Sequence, residues 1–311
     1  MAATNFDLAP PPKTVDGLKA VPIDVQHVTA RLTFDGATTS GSGDATVDFV
    51  AGPISGNAIF DLRQTVTATW LDGAPLLPTK VAHHDFGGGP QAEMRIVEQV
   101  LPAGSAHTLR LTYSLGTPQA SSAGSYQPAM TWSSGPRLAF NFGFTDLGAG
   151  RYLEAWIPAN LIFDQFVLDL ELQVLNTSIA HTVITNGKVT SLGTNHWSVH
   201  FPARFTALSP LLEVRATDTL ASMTGIATLP TSGDVTIEAW KLASSAVDLN
   251  AQITNLKGWL ASDESESRLR TPSPPRSRTP RSDSRAGKDR SRLRPPARSS
   301  MRPSTAGSVA G

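Results

Sequence analysis

Cysteine is absent from the 311 residues, which removes disulfides, thiolate metal ligands and a cysteine nucleophile together. Long apolar runs are absent too: nothing approaches the roughly 18 residues of a membrane span. The opening MAATNFDLAPPPKTVDG has neither the basic start nor the continuous apolar centre of a secretory signal. Both absences lead to the expectation of a cytoplasmic protein without membrane contact. No G-x-S-x-G elbow occurs, so no serine nucleophile can be singled out. Net charge is zero, but it is unevenly placed: residues 263–311 hold 12 Lys/Arg against 5 Asp/Glu, leaving 14 against 21 elsewhere. A mildly acidic body is therefore joined to a basic segment, and only that segment could answer nucleic acid electrostatically.

What is present, from about Ile23 to Phe205, is a period of two, the pattern of strands with one buried face. Val28, Ala30, Leu32 and Phe34 alternate with polar neighbours, FDGATTSGSGD supplies turn residues, and Ala45, Val47 and Phe49 alternate again. AIFDLRQTVTATWLDGAPL follows, with Asp72-Gly73 as a tight-turn pair. RIVEQVL, HTLRLTYSL, FVLDLELQV, HTVITNGKVTSLG with Asn186-Gly187 at its turn, and HWSVHF complete a series of short strands. The pattern predicts a mainly β fold, an antiparallel β-sandwich or saddle-shaped pair of sheets.

After Pro230 one more strand, GDVTIEAWKL, precedes SSAVDLNAQITNLKGWLAS, where Leu249, Ile253, Leu256 and Leu260 form one stripe of an amphipathic helix with Trp259 beside it. Ser245 and Asp248 have the spacing of a capping box. The stripe requires a cover, and the globular sequence stops at Ser262, so the expectation is self-association through the 246–260 helix. Beyond it lies a disordered Arg/Ser/Pro-rich tail without aromatic residues, with Thr271, Ser273 and Thr279 each before a proline as phosphorylation candidates. Such a tail offers phosphate contacts without base stacking, which argues against specific nucleic-acid binding. Its composition and its start inside a helix end favour a shift of reading frame between Ser262 and Arg268 over a natural tail.

Several stretches in order resemble the N-terminal domain of the aminopeptidase N family of zinc metallopeptidases. They are Val25 to Phe34, Phe60-Asp61-Leu62 with Asp72-Gly73, and the series Leu101, Gly104, His107-Thr108-Leu109, Leu111 and Tyr113. Arg151, Pro158, Phe163-Asp164 and Asn186-Gly187 follow. Phe166 departs from the family's second corner proline, and the spacing from Arg151 to Asp164 is longer than in the commonest form. The resemblance implies a β domain that walls the pocket for a peptide's free N-terminus beside a zinc-bearing catalytic domain. The family's H-E-x-x-H and G-A-M-E-N stretches are missing here. The expectation is thus a non-catalytic domain with no cofactor of its own, zinc and peptide substrates belonging to an intact enzyme.

Asp146 and Glu154 flank Arg151 near where family members hold polar residues facing the substrate cleft, and these three are the candidate site residues; a local ion pair is the plainer reading. His196 and His200 lie four apart on a strand, about 13 Å, too far for one metal. His83-His84 with Asp85 leaves a loop metal site open, and Gly87-Gly88-Gly89-Pro90 reads as a hairpin tip. The resulting organisation is an extension over 1–20, a β domain over 21–230, the start of an incomplete catalytic domain over 231–262 and a tail over 263–311. The missing catalytic domain is the expected partner. The competing function is a β-sandwich interaction protein whose basic tail binds a protein or nucleic acid.

Overall fold

The computed structural model describes residues 11–87, 93–117, 129–142, 153–159, 164–203 and 210–270. The chain divides into two compact units, Met1–Ala261 and Ser262–Gly311. The described part of the first unit is mainly strand, as the period of two predicts, and its strands fall into four sheets.

The short strands β1 (Lys13–Val15) and β2 (Leu18–Val21) form a hairpin whose turn residues Asp16 and Gly17 both have positive φ. After Pro22 the chain turns into β3 (Ile23–Asp35), which pairs antiparallel with β4 (Ser40–Ala51). Val28, Ala30, Leu32 and Phe34 of β3 and Ala45, Val47 and Phe49 of β4 point inward, the face the alternation assigns to the core. β5 (Gly56–Phe60) joins β2, and β6 (Thr65–Leu71) with β7 (Ala74–Leu76) makes the hairpin predicted at Asp72-Gly73, with φ of 52° and 77°.

β8 (His83–Asp85) and β9 (Glu93–Leu101) pair antiparallel, and β10 (Ala106–Leu115) then runs between β4 and β6. β9 and β10 are neighbours in sequence but belong to different sheets, so the PAGSA connection is a step from one sheet to another. β11 (Ala129–Ser133) and β12 (Arg137–Phe142) open a four-stranded sheet. β13 (Val167–Leu175) returns to the eight-stranded sheet beside β3. β14 (His181–Thr185), β15 (Lys188–Gly193), β16 (His196–Phe201) and β17 (Leu212–Ala216) then divide between the two sheets. The eight-stranded order is β15-β16-β13-β3-β4-β10-β6-β7, the five-stranded order β1-β2-β5-β9-β8, and the four-stranded order β11-β12-β17-β14.

Two local expectations change. The sheets are mixed, because β13 lies parallel to β3 and β2 parallel to β5. A strand returning after a long excursion can take either direction, whereas only a tight turn enforces an antiparallel neighbour. Asn186-Gly187 also does not close a hairpin: β14 pairs with β17 and β15 with β16, so this dipeptide carries the chain between sheets. The hairpin turn lies one strand later, where Asn195 has a φ of 53°.

One core cluster joins the inner face of the eight-stranded sheet to Leu138, Phe140, Leu212 and Val214 of the four-stranded sheet and to Trp156 and Ile157. Phe140 packs against Phe34 at 4.8 Å and Trp156 at 4.6 Å between ring centroids. Gly43 is required where it stands: a Cβ there would lie 2.1 Å from the Tyr113 ring.

β18 (Leu220–Leu229) and β19 (Gly233–Leu242) form a separate hairpin whose turn contains Pro230, followed by α1 (Leu249–Arg270). Here the expectation of an uncovered helix is corrected. Ile253 is 4% exposed and packs with Ala227, Leu229 and Ile237 of the hairpin, with Leu256 and Leu260 against the same cluster. The hairpin supplies the cover, so the argument for self-association through residues 246–260 loses its premise. Strand pattern alone could not show this, because the hairpin buries only one face and reads like any other strand pair. The helix cap also differs from the predicted box: Asp248 is the capping residue, its Oδ1 accepting the N–H groups of Asn250 at 2.9 Å and Ala251 at 3.3 Å. Helix α1 continues to Arg270, past the proposed seam. Among the described residues no helix is long and apolar enough to cross a membrane.

Candidate functional site

Of the three candidate residues, Glu154 is described, and Asp146 and Arg151 lie outside the described residues. Glu154 sits in a 3-10 turn, Leu153–Ala155, and is 7% exposed, so its side chain is not presented to solvent in this unit. Besides the turn's own hydrogen bonds from Trp156 and Ile157 N–H to Leu153 O, residues 153–159 are held by residues 61–64. Asp61 and Ala159 exchange backbone hydrogen bonds of 2.9 and 3.0 Å, and Arg63 N–H donates to Glu154 O at 2.6 Å. Gln64 Nε2 donates to Ala155 O at 2.6 Å and to Gly116 O at 2.9 Å, while its Oε1 accepts Gly116 N–H at 2.9 Å. Residues 61–64 thus form a bracket for the segment that carries Glu154.

The bracket is held from behind by Arg95. On β9 this residue occupies a run, Met94 to Val97, that is buried throughout. Its guanidinium donates to three backbone carbonyls: Leu62 at 2.8 Å, Val81 at 2.7 Å and Gln64 at 2.7 Å. Burial lowers its pKa to about 10, with Asp61 opposing the shift and Arg63 adding to it, so the group stays charged at neutral pH. Asp61 completes the network through Arg63 Nε at 2.9 Å, His83 Nε2 at 3.0 Å and Leu62 N–H at 2.8 Å. The Phe60-Asp61-Leu62 stretch therefore places a buried polar bracket and not a reactive group. Arg95 carried no sequence signal, because an arginine within RIVEQVL reads as one polar position of an alternating strand.

All seven histidines are described, and none belongs to a set of three or more His, Asp or Glu side chains able to hold a metal among the described residues. His83 faces Asp61, and His84 Nδ1 lies 2.8 Å from Asp16 Oδ2. These neighbouring imidazoles are therefore engaged by carboxylates from different elements, and the loop-metal alternative finds no gathered ligand set there. His196 and His200 lie on one face of β16 and meet different carboxylates, Glu171 at 2.8 Å and Asp169 at 2.7 Å. His27 Nε2 takes the other Asp169 oxygen at 2.8 Å, and Arg31 the other Glu171 oxygen at 2.8 Å. His107 Nδ1 lies 2.7 Å from Asp72. Buried His181 accepts Leu138 N–H through Nε2 at 3.0 Å and contacts Ile179 O through Nδ1 at 3.0 Å, the pattern of a neutral ring. Burial lowers its pKa, against the pull of the Ile179 carbonyl, Asn195 and the charge of Asp218. These residues do not fit a zinc site of the kind the resemblance implies for an intact enzyme.

Part of the corner motif is also visible. Phe163 lies outside the described residues, whereas Asp164 Oδ2 accepts Val25 N–H at 3.0 Å and Oδ1 accepts Gln165 N–H at 2.9 Å. Phe166, where the family has its second proline, is 4% exposed in the core. The Gly88 to Pro90 stretch and the phosphorylation candidates Thr271, Ser273 and Thr279 lie outside the described residues.

No family profile matches the sequence, and no curated protein matches it. Solved structures do. An M1 zinc metallopeptidase from Deinococcus radiodurans is similar at 19% identity with a TM-score of 0.50, the likeness covering 76% of this chain and 52% of that one. Legionella pneumophila aminopeptidase A, solved with aspartic acid, is similar at 12% identity with a TM-score of 0.53, covering 81% of this chain and 28% of that one. The chain thus spans about half the length of the Deinococcus protein. At these identities the likeness establishes a shared fold.

Proposed function

We propose that the β unit is the non-catalytic N-terminal domain of an aminopeptidase-like zinc metallopeptidase and forms a wall of the pocket for a peptide's N-terminus. The observation that carries this reading is the fold shared with the Deinococcus protein over 76% of this chain and only 52% of that one. The matched part makes up 52% of the Deinococcus chain, which leaves room in such a protein for a separate catalytic part that would hold zinc. The ordered stretches of sequence resemblance support the same assignment.

In this reading Asp146 attracts the peptide ammonium, with Arg151 and Glu154 as the further candidates for the substrate cleft. The test is a chimera in which residues 11–261 replace the corresponding domain of the Deinococcus metallopeptidase. The expected result is a folded, zinc-dependent aminopeptidase whose KM for a tripeptide rises when Asp146 is changed to Ala. A folded chimera with no activity would overturn the domain assignment, and an unchanged KM would overturn the role of Asp146.

A further inference from the structure

The five-stranded sheet has β1 at one edge and β8 at the other, and among the described residues no backbone ladder joins them. Side chains do. Lys13 Nζ of β1 donates to Phe86 O just past β8, and Asp16, in the β1–β2 turn, brings Oδ2 to 2.8 Å from His84 Nδ1 of β8. Val15 and Ala20 of the first hairpin share a small apolar cluster with Ile59, Met94 and Ile96, and Leu18 and Phe86 pack against it. Edges joined in this way separate without breaking a strand ladder, at a cost set by those few contacts.

His84 stands at the centre of the closure, its side chain 13% exposed. Asp16 as a carboxylate can only accept, so Nδ1 carries the hydrogen, and in the neutral ring Nε2 keeps its lone pair. That nitrogen is buried and has no hydrogen-bond partner among the described residues. It faces Glu98 Oε1 of β9 at 4.0 Å, while Glu98 Oε2 accepts Lys80 Nζ at 2.6 Å from the 3-10 turn Pro78–Val81. A neutral ring therefore turns one acceptor toward another, and a protonated ring turns a donor toward it. We propose that Asp16, His84 and Glu98 form a proton-dependent latch between the two edges of the sheet, held through Asp16 alone when the imidazole is neutral and through both carboxylates when it is protonated.

The surrounding charges set the sign. Asp16 from the β1–β2 turn and Glu98 from β9 both favour an imidazolium, and Lys80 opposes it from the far oxygen of Glu98. Lys13 is engaged with the Phe86 carbonyl. Asp85, opposite Glu93, accepts Gly87 N–H at 2.7 Å, and Met94, opposite His84, is uncharged. Because closure supplies a second acceptor for the ring, proton uptake and closure favour each other, and the latch tightens as pH falls through the range in which imidazoles titrate. It weakens again below roughly pH 4, where carboxylates themselves take up protons.

His83, the neighbour on β8, is the competing source of such an effect. Its Nε2 lies 3.0 Å from Asp61 Oδ1, in the network that includes Arg63. Substitution separates the two rings.

Amide hydrogen exchange of the full chain, corrected for intrinsic rates, is followed between about pH 5 and pH 8 in β1, β2 and β8, with the β18–β19 hairpin, which holds no histidine, as internal reference. Wild type is expected to show about threefold higher protection at the acid end than at the alkaline end. His84→Gln should lower the acid value to the alkaline level, Glu98→Gln should remove most of the rise, and His83→Gln should leave it in place. A flat wild-type profile, a rise that survives His84→Gln or Glu98→Gln, or one that disappears with His83→Gln instead would each overturn the latch. Nitrogen NMR of the unsubstituted chain gives a second reading that needs no variant: at the alkaline end the hydrogen of His84 is expected on Nδ1, and a hydrogen on Nε2 would refute the assignment.

Discussion

Arg95 shows how much of this unit depends on one side chain. Its three carbonyl acceptors belong to Leu62 and Gln64 of the bracket and to Val81 from another part of the chain, so losing the guanidinium takes their shared donor away. Arg95→Met is expected to cost about 3 kcal/mol in a urea titration, and Arg95→Lys somewhat less, because an ammonium cannot reproduce the fork. A loss below about 1 kcal/mol for Arg95→Met would show that the bracket is held by other means. Gly43 tests packing in the opposite sense. Alanine would place a carbon 2.1 Å from the Tyr113 ring, which is wholly buried and cannot yield freely. The expected cost is about 1–3 kcal/mol of overpacking, read as a lowered Tm. Neither position could be selected by inspection of the chain, since a glycine within SGSGD and an arginine within RIVEQVL look ordinary there.

At the scale of elements, the hairpin of β18 and β19 with α1 is the part that sequence patterning described least completely. The helix, its stripe and the strand GDVTIEAWKL are all legible as periodicities. What covers the stripe is not legible, because periodicity marks which face must be buried and says nothing of its partner. Ile253 lies so close to Gly225 that a Cβ there would meet it at 2.5 Å. Ile253→Ala should therefore loosen the helix by about 2–4 kcal/mol, seen as faster tryptic cleavage after Lys257, whereas Trp259→Ala, at 64% exposure, should change cleavage little. Asp248→Ala removes the acceptor for two helix N–H groups and is expected to cost about 1 kcal/mol. Equal cleavage in all three variants would mean that the hairpin does not retain the helix.

For the whole molecule, the outer face of the eight-stranded sheet couples stability to acid. Burial alone would raise the Asp169 pKa, but hydrogen bonds and charge from His200 and His27 bring it below the ordinary value. Hydrogen bonds from Arg31 and His196 do the same for Glu171. Carboxylates depressed in the folded state stabilise it above their unfolded pKa values, 3.8 and 4.5, and that contribution is lost as pH falls through the folded values. Asp169→Asn should thus lower the urea midpoint at pH 7 and converge with wild type in strong acid. Parallel curves at all pH values would remove the ion row as the cause. Both carboxylates are partly exposed, so the effect should shrink in high salt.

Alternating residues such as Val28 to Phe34 and Ala45 to Phe49 determined by themselves that the unit is mainly β, which face β3 and β4 bury, and where Asp72-Gly73 turns the chain, because these follow from local sterics and a period of two. Tertiary structure alone decided that β13 lies parallel to β3 and that PAGSA and Asn186-Gly187 step between sheets. It also decided that Arg95 braces the bracket at 61–64 and that Asp164 reaches back to the Val25 amide. Those outcomes depend on residues brought together from distant parts of the chain, where desolvation and the need to pair every buried polar group select the arrangement, and no local pattern encodes that selection.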